Sequence, residues 1–317
     1  MYKLLILSLF LCTYVSAQAG FVIESEVFSA DECMEMEQYD AKRSVCFVEC
    51  DTLEECERIE LTLDDAIDAL ESEYNKLDIA EFHDSGIDED TLQNAEAIYT
   101  IKKDRTFILT SGAENITYKK VQQWLRAITP REFSDTYLSR LVLLPSNSDN
   151  SAAFISLGDK GRWDIVINMH SLREDGEKEM VFTLIHEFAH ILTLNSSQLE
   201  AEIPAKRCLT YDTSAEGCTK QNSYLNHFVE MFWKDILQKY PDAEDYYSYY
   251  EKYPSEFVRD YAATSPIEDI AESFATFILR TKRVDATLAD KKVDFFYAYP
   301  ELVKMRNNMR KSLKGLL

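Results

Sequence analysis

The spacing of apolar residues predicts that the C-terminal half of the chain is mostly helical. Beyond Ser171, apolar positions recur at helical intervals over four stretches. These stretches are residues 177–194, 222–239, 255–280 and 293–313. An earlier helix is predicted over residues 117–128, because Thr129-Pro130 ends the pattern there.

Three short apolar runs lie between these helices and predict β-strands. They cover residues 138–144, 152–157 and 163–169, and turn-forming residues separate them. Since strands joined by short turns usually pair in chain order, we expect a small meander. A small sheet followed by helices predicts an α+β domain over residues 96–317.

The chain before residue 96 has a different pattern. A mostly apolar run over residues 4–15 leads into Val15-Ser16-Ala17, whose small residues suit cleavage, so residues 1–17 are predicted to be a signal peptide. The protein is therefore expected to be exported, either secreted or periplasmic. Residues 18–95 are rich in Asp and Glu and carry helical spacing over 61–77, which predicts a small helical module.

The cysteine count agrees with export. Cys12 falls in the predicted signal peptide, and six cysteines remain, namely Cys33, Cys46, Cys50, Cys56, Cys208 and Cys218. An even number in an exported chain predicts three disulfide bonds, two in the N-terminal cluster and one between Cys208 and Cys218. A four-cysteine zinc site in the N-terminal cluster is the alternative.

The charge balance excludes several classes of partner. The 317 residues include 34 Lys and Arg against 56 Asp and Glu, a net charge of −22. Since no basic cluster offers a grip on phosphate groups, nucleic acid and anionic membrane surfaces are not expected as partners. No apolar run after the signal peptide reaches membrane length, so no membrane insertion is predicted. We expect a monomer.

The strongest chemical signal is His186-Glu187-Phe188-Ala189-His190, which lies in an apolar helical stretch. At this HExxH spacing the two imidazoles share one helix face and can reach one metal ion. Glu187 lies one step round the helix, where it can accept a proton from water, and Zn²⁺ lowers the pKa of such a water toward neutrality. The alternative is a pair of hydrogen-bonded core histidines.

The residues alone leave the third ligand open. A third His, with a Gly three positions after His190, would mark one class of zinc helix, but those positions hold Ser196 and Thr193. An acid on a second helix is then the natural ligand. The candidates lie in two segments, one with His227 and Glu230 and the other with Glu268, Asp269 and Glu272.

The second of these segments resembles a known family. Residues 257–275, together with the HExxH motif, are similar to the third-ligand region of gluzincin metallopeptidases, in particular the branch of the anthrax lethal factor catalytic domain and the Pro-Pro endopeptidases. The resemblance covers roughly residues 135–280. It implies a zincin-like fold and a catalytic domain in which His186, His190 and Glu268 bind one zinc ion.

The same resemblance assigns roles to two further residues. It implies that Glu272 accepts a hydrogen bond from a ligand His and that Tyr261 donates to the oxyanion that forms at the attacked carbonyl. A packing role is the alternative for Tyr261, one of 18 tyrosines. In peptidases of this shape, a strand such as residues 163–169 edges the cleft and pairs with an extended substrate.

Together these features predict a secreted zinc-dependent endopeptidase, a hydrolase with Glu187 as general base and a protein or peptide as substrate. A zincin-fold binding module without catalysis is one alternative, and an exopeptidase is the other.

Overall fold

The computed structural model describes residues 21–26, 38–42, 45–50, 87, 89–145, 151–158, 161–201, 203–213, 217–239, 244–280 and 287–316. The described residues fall into two compact units, one containing the strands up to Cys50 and the other containing the residues from Ile87 onward. The predicted signal peptide and the predicted helix over 61–77 lie outside the described residues. The domain boundary near residue 95 stays a prediction.

The first unit contains three strands, β1 (Phe21–Glu26), β2 (Gln38–Asp40) and β3 (Val45–Cys50). β3 pairs antiparallel with both neighbours, so the order is β1-β3-β2. The sequence predicted a small helical module over residues 18–95. The described residues of this module up to Cys50 form a three-stranded sheet instead. Its strands are rich in Val, Ile and Phe, which favour extended backbone.

The second unit begins with a five-stranded sheet and its flanking helices. Its elements are α1 (Glu89–Gln93), β4 (Ala97–Ile101), β5 (Phe107–Gly112), α2 (Ile116–Ile128), α3 (Arg131–Tyr137), β6 (Leu138–Leu144), β7 (Ala153–Leu157) and β8 (Trp163–Asn168). The helix predicted over 117–128 and all three predicted strands are therefore confirmed. The sequence did not predict β4 and β5. Asp104 and Arg105 turn this hairpin at φ 72° and 59°, and neither is the Gly or Asn that usually marks such a turn.

The strand order of this sheet is β5-β4-β6-β8-β7, with β6 and β8 parallel and the other pairs antiparallel. The predicted meander is therefore wrong. All six residues of β8 are buried, as is typical of a central strand with both faces of the sheet covered, whereas Leu157 of β7 is half exposed. The edge strand beside the helical half is therefore β7, and β8, which was expected to edge a cleft, lies inside the sheet.

The rest of the unit is mostly helical, which confirms the α+β fold class. Its elements are α4 (Met169–Asp175), α5 (Glu177–Leu194), β9 (Leu199–Glu200), β10 (Cys218–Thr219), α6 (Tyr224–Phe228), a π-helical turn (Val229–Trp233), α7 (Lys234–Lys239), α8 (Glu244–Lys252), α9 (Pro266–Leu279), α10 (Leu288–Asp294) and α11 (Pro300–Lys314). One face of the sheet packs on α2 and α5. On the other face, Ile87, Leu92 and Ala95 pack against Val142, Leu144 and Val166.

Two predicted helices are interrupted before a proline. In the stretch 255–280, 3-10 turns at Pro254–Glu256 and Tyr261–Ala263 precede α9, because Ser265 before Pro266 is extended at φ −161°. In the stretch 293–313, a 3-10 helix (Phe295–Ala298) follows α10, and Tyr299, which is extended before Pro300, separates it from α11. None of the helices in the described residues has the length and apolar character that a bilayer crossing requires.

The disulfide bond between Cys208 and Cys218 is confirmed, with Cα atoms 5.5 Å apart. The two N-terminal bonds stay predictions, because Cys33 and Cys56 lie outside the described residues.

We expect intact mass measurement of the mature protein to give three disulfide bonds and no alkylatable thiol before reduction, and six alkylated cysteines after it. Four alkylatable cysteines in the unreduced, zinc-stripped protein would instead indicate a metal-binding cluster at the N-terminus.

Candidate metal centre

Helix α5 carries two histidines that point at one place. Residues 179–194 of α5 are all buried, so this helix crosses the interior of the unit. His186 and His190 are one turn apart on the same face, with only 2% and 1% of their surface exposed. Their Nε2 atoms are 2.9 Å apart.

Helix α9 brings a carboxylate to the same place. Ser265 is its N-cap, and the Ser265 hydroxyl accepts a hydrogen bond from the main-chain N–H of Glu268. Glu268 therefore lies in the first turn, where the positive end of the helix dipole stabilises a carboxylate. Its Oε2 lies 3.1 Å from His186 Nε2 and 3.3 Å from His190 Nε2.

These three donor atoms fit a metal ion. A tetrahedral ion with bonds of about 2.0–2.1 Å holds its ligand atoms about 3.3 Å apart, and the separations here are 2.9, 3.1 and 3.3 Å. His186, His190 and Glu268 also form the one group of metal-ligating side chains with this convergence among the described residues. The triad is therefore a candidate metal site.

Glu272 lies one turn beyond Glu268 and orients His186. Its Oε1 is 2.6 Å from His186 Nδ1, so that nitrogen is placed to donate its proton and leaves the Nε2 lone pair facing the centre. Arg259, a buried residue that precedes α9, binds both oxygens of Glu272 through its Nε and Nη2 atoms.

Electrostatics favour a positive charge at the centre. Burial lowers the pKa of His186, but Glu272 and Glu268 outweigh burial and raise that pKa to about 10. Burial raises the pKa of Glu268, but His190 and His186 hold it well below its usual range. For Glu272, the effects of Arg259 and His186 exceed that of burial and lower its pKa to about 2. A metal cation supplies such a charge while both imidazoles stay neutral.

Glu187 lies between the candidate ligands and the edge of the sheet. It is buried, and the main-chain N–H of Ile155 in β7 donates a hydrogen bond to its carboxylate. Burial raises its pKa to about 7, against the smaller effects of His186 and His190. This carboxyl group can therefore exchange a proton near neutral pH.

Tyr261 also lies at the centre, although not on a helix as expected. Its 3-10 turn places its ring centroid 5.9 Å from that of His186. Burial, and then the charges of Glu268 and Glu187, raise the pKa of its hydroxyl well above the ordinary value, so it stays a hydrogen-bond donor.

The other candidate ligands are held elsewhere. His227 Nδ1 lies 2.9 Å from the Tyr299 hydroxyl, and Glu230 pairs with Lys234 at the surface. Asp269 is not part of the triad, although it is the next residue after Glu268. Its carboxylate accepts a hydrogen bond from the Trp233 indole at 2.6 Å, pairs with buried Lys292 at 2.6 Å and lies 3.4 Å from the Ser273 hydroxyl.

Sequence reasoning missed two contacts of this site, those of Arg259 and of the Ile155 main chain. Arg259 lies within residues 257–275, yet its partner Glu272 is 13 residues further along the chain, beyond the break that precedes α9. No spacing rule connects such residues. The one indication of such a pair is an Arg that is buried next to acidic residues, and burial becomes known only with the structure.

We expect Ser265→Ala to lower the free energy of unfolding by about 1 kcal/mol in chelator and to weaken zinc binding severalfold, because the cap fixes the turn that carries Glu268. Urea unfolding and a zinc competition assay measure the two effects. Thr287→Ala is the matched control, since Thr287 caps α10 away from the centre. It should cost a similar free energy and leave zinc affinity unchanged. Zinc binding equally weakened in both variants would contradict the prediction.

The chain matches no protein-family model, no curated protein and no solved structure. What can be concluded about this site therefore rests on its own residues and geometry.

Proposed function

We propose that this protein is a zinc-dependent endopeptidase of the gluzincin type. The observation that carries the proposal is the convergence of His186, His190 and Glu268 with Glu187 beside them on the same buried helix. Zinc is the ion that we assign, at one per chain, because two imidazoles and one carboxylate with an open position form a common catalytic zinc set.

The residues around the centre suit peptide hydrolysis. When bound, zinc supplies a Lewis acid that activates water near neutral pH. Glu187 takes the proton from the attacking water and delivers it to the amine that leaves. Tyr261 donates a hydrogen bond to the carbonyl oxygen as its negative charge grows. Glu272 keeps His186 in the tautomer that leaves Nε2 unprotonated.

Strand β7 supports cleavage inside a chain. The Gly158 N–H at its end binds the Arg162 carbonyl, and such bonds alternate along an antiparallel pair. The main-chain groups of Ala153, Ile155 and Leu157 therefore face the open edge. Ile155, whose N–H bonds to Glu187, is the middle one of these three residues. A substrate strand can therefore pair with β7 on both sides of the general base. This arrangement favours an endopeptidase over an exopeptidase.

The test is metal analysis followed by digestion of a peptide library whose N-termini are acetylated and C-termini amidated. We expect one zinc per chain, cleavage of blocked peptides at internal bonds, loss of cleavage in chelator, and recovery on adding zinc. Zinc without cleavage would indicate a binding module. Cleavage of unblocked peptides alone, releasing terminal residues, would indicate an exopeptidase.

We also infer that the protein acts outside the cytoplasm. The disulfide between Cys208 and Cys218 and the signal-like N-terminal segment support export. A protein or peptide substrate is consistent with an exported hydrolase, and we propose that the protein acts on it as a monomer.

A further inference from the structure

Arg259 is a buried charged residue next to the candidate metal centre, and none of the roles assigned above uses it. It is 7% exposed and lies between the two 3-10 turns that precede α9, two residues before Tyr261. A buried guanidinium requires several partners to offset its loss of hydration. The contacts of Arg259 therefore indicate what it does.

The main partner of Arg259 is Glu272. Its Nη2 donates to Oε1 at 2.5 Å and its Nε donates to Oε2, so the fork holds both carboxylate oxygens in one plane. The guanidinium carbon also lies 5.7 Å from the ring centroid of Phe182 on α5 and 5.6 Å from that of Tyr261. Arg259 therefore contacts both helices that carry the candidate ligands.

The same carboxylate controls the ring of His186. Oε1 of Glu272, which accepts from Arg259, also lies 2.6 Å from His186 Nδ1. Rotation of the Glu272 carboxylate would displace this contact and turn the imidazole. Arg259 resists that rotation because it binds both oxygens at once.

We infer that Arg259 is a positioning residue of the metal centre, which fixes the Glu272 carboxylate and through it the metal-binding orientation of His186. This inference rests on the proposed function only in requiring that the triad binds zinc. It assigns no chemical step to Arg259.

The test begins with zinc affinity of the full-length protein, measured by competition with a chromogenic chelator. Arg259→Gln should bind zinc about ten- to a hundredfold more weakly, as is typical when a partner of a ligand is lost. The matched control is Arg280→Gln, since Arg280 is equally buried and pairs with Asp290 at 2.6 Å in another part of the unit. It should stay within about twofold of the parent.

A double variant separates positioning from general loss of stability. If Arg259 acts through Glu272, adding Arg259→Gln to Glu272→Gln should weaken zinc binding by less than about twofold beyond the single variant. Multiplied losses would show that the two residues act independently, which would overturn the inference.

Cobalt substitution reads the geometry of the ligands directly. The visible absorption of bound Co²⁺ should shift in Arg259→Gln and stay unchanged in Arg280→Gln, because only the former turns a ligand. Arg259→Lys keeps the charge without the fork, so it should fold and bind zinc more weakly than the parent. If Arg259→Gln does not fold, Arg259→Lys takes its place in each of these measurements.

Parent affinity in both Arg259→Lys and Arg259→Gln would overturn the inference, as would an equal loss in Arg280→Gln. If the parent protein binds no zinc, the proposed zinc-dependent function is contradicted instead. The two failures are therefore distinguishable.

Discussion

Glu187→Gln should abolish peptide hydrolysis while the protein keeps its zinc. The amide preserves the size of the side chain and can still accept the hydrogen bond from Ile155, but it cannot take a proton. A general base contributes at least about a hundredfold to the rate, so kcat should fall by at least that factor. Zinc content should equal that of the parent, since adjacent helix positions differ by about 100° and Glu187 does not face the ion with the two histidines.

The measurement is kcat on a blocked peptide, together with zinc content of the same sample. Glu179→Gln is the matched control, because Glu179 is a buried acid on the same helix, two turns before the centre. It should retain zinc and most of the turnover. Full activity in Glu187→Gln at parent zinc occupancy would remove Glu187 as the general base.

Helix α5 shows where sequence alone is sufficient. Its predicted range, 177–194, matches the observed helix, which starts after Gly176 at φ 93° and ends before Asn195, whose backbone is extended. Because helix geometry is local, the spacing of His186 and His190 already implies a shared face. Their convergence follows from that spacing with no knowledge of the rest of the fold.

The sheet shows where sequence is insufficient. Apolar runs locate β6, β7 and β8, yet the runs do not state which strands are neighbours, since pairing depends on contacts between distant segments. The central position of β8 follows from its pairing with β6 and β7, and this pairing exists only in the assembled unit. The edge strand next to Glu187 was therefore misassigned to β8, and it is β7.

The third ligand lies between these two cases. Residues alone left both downstream segments open, and only the resemblance favoured Glu268. In the structure the first segment does pack on α9, since Trp233 donates to Asp269. This segment contacts the side of α9 that faces away from the histidines, so Glu230 does not reach the metal centre. Glu268 is the carboxylate that lies there.

Glu268→Ala should lose zinc outright, because only His186 and His190 remain and no other group of metal-ligating side chains converges among the described residues. Glu272→Ala should bind zinc about ten- to a hundredfold more weakly, because it removes only the partner of His186. Dialysis against a weak chelator, followed by metal analysis, separates the two outcomes. The former variant should emerge without zinc, and the latter should recover it at higher zinc concentration.

Asp269→Asn is the matched control for this pair. Asp269 is as deeply buried as Glu272, but it faces Trp233 and Lys292 about 100° round the helix from Glu268. Its loss should lower stability, since it leaves the Lys292 charge without a full counter-charge, and zinc should remain bound. A stronger loss of zinc from Glu272→Ala than from Glu268→Ala would reverse their roles. Loss of zinc from Asp269→Asn at parent-like folding would mean that the first turn of α9 presents a different carboxylate to the metal.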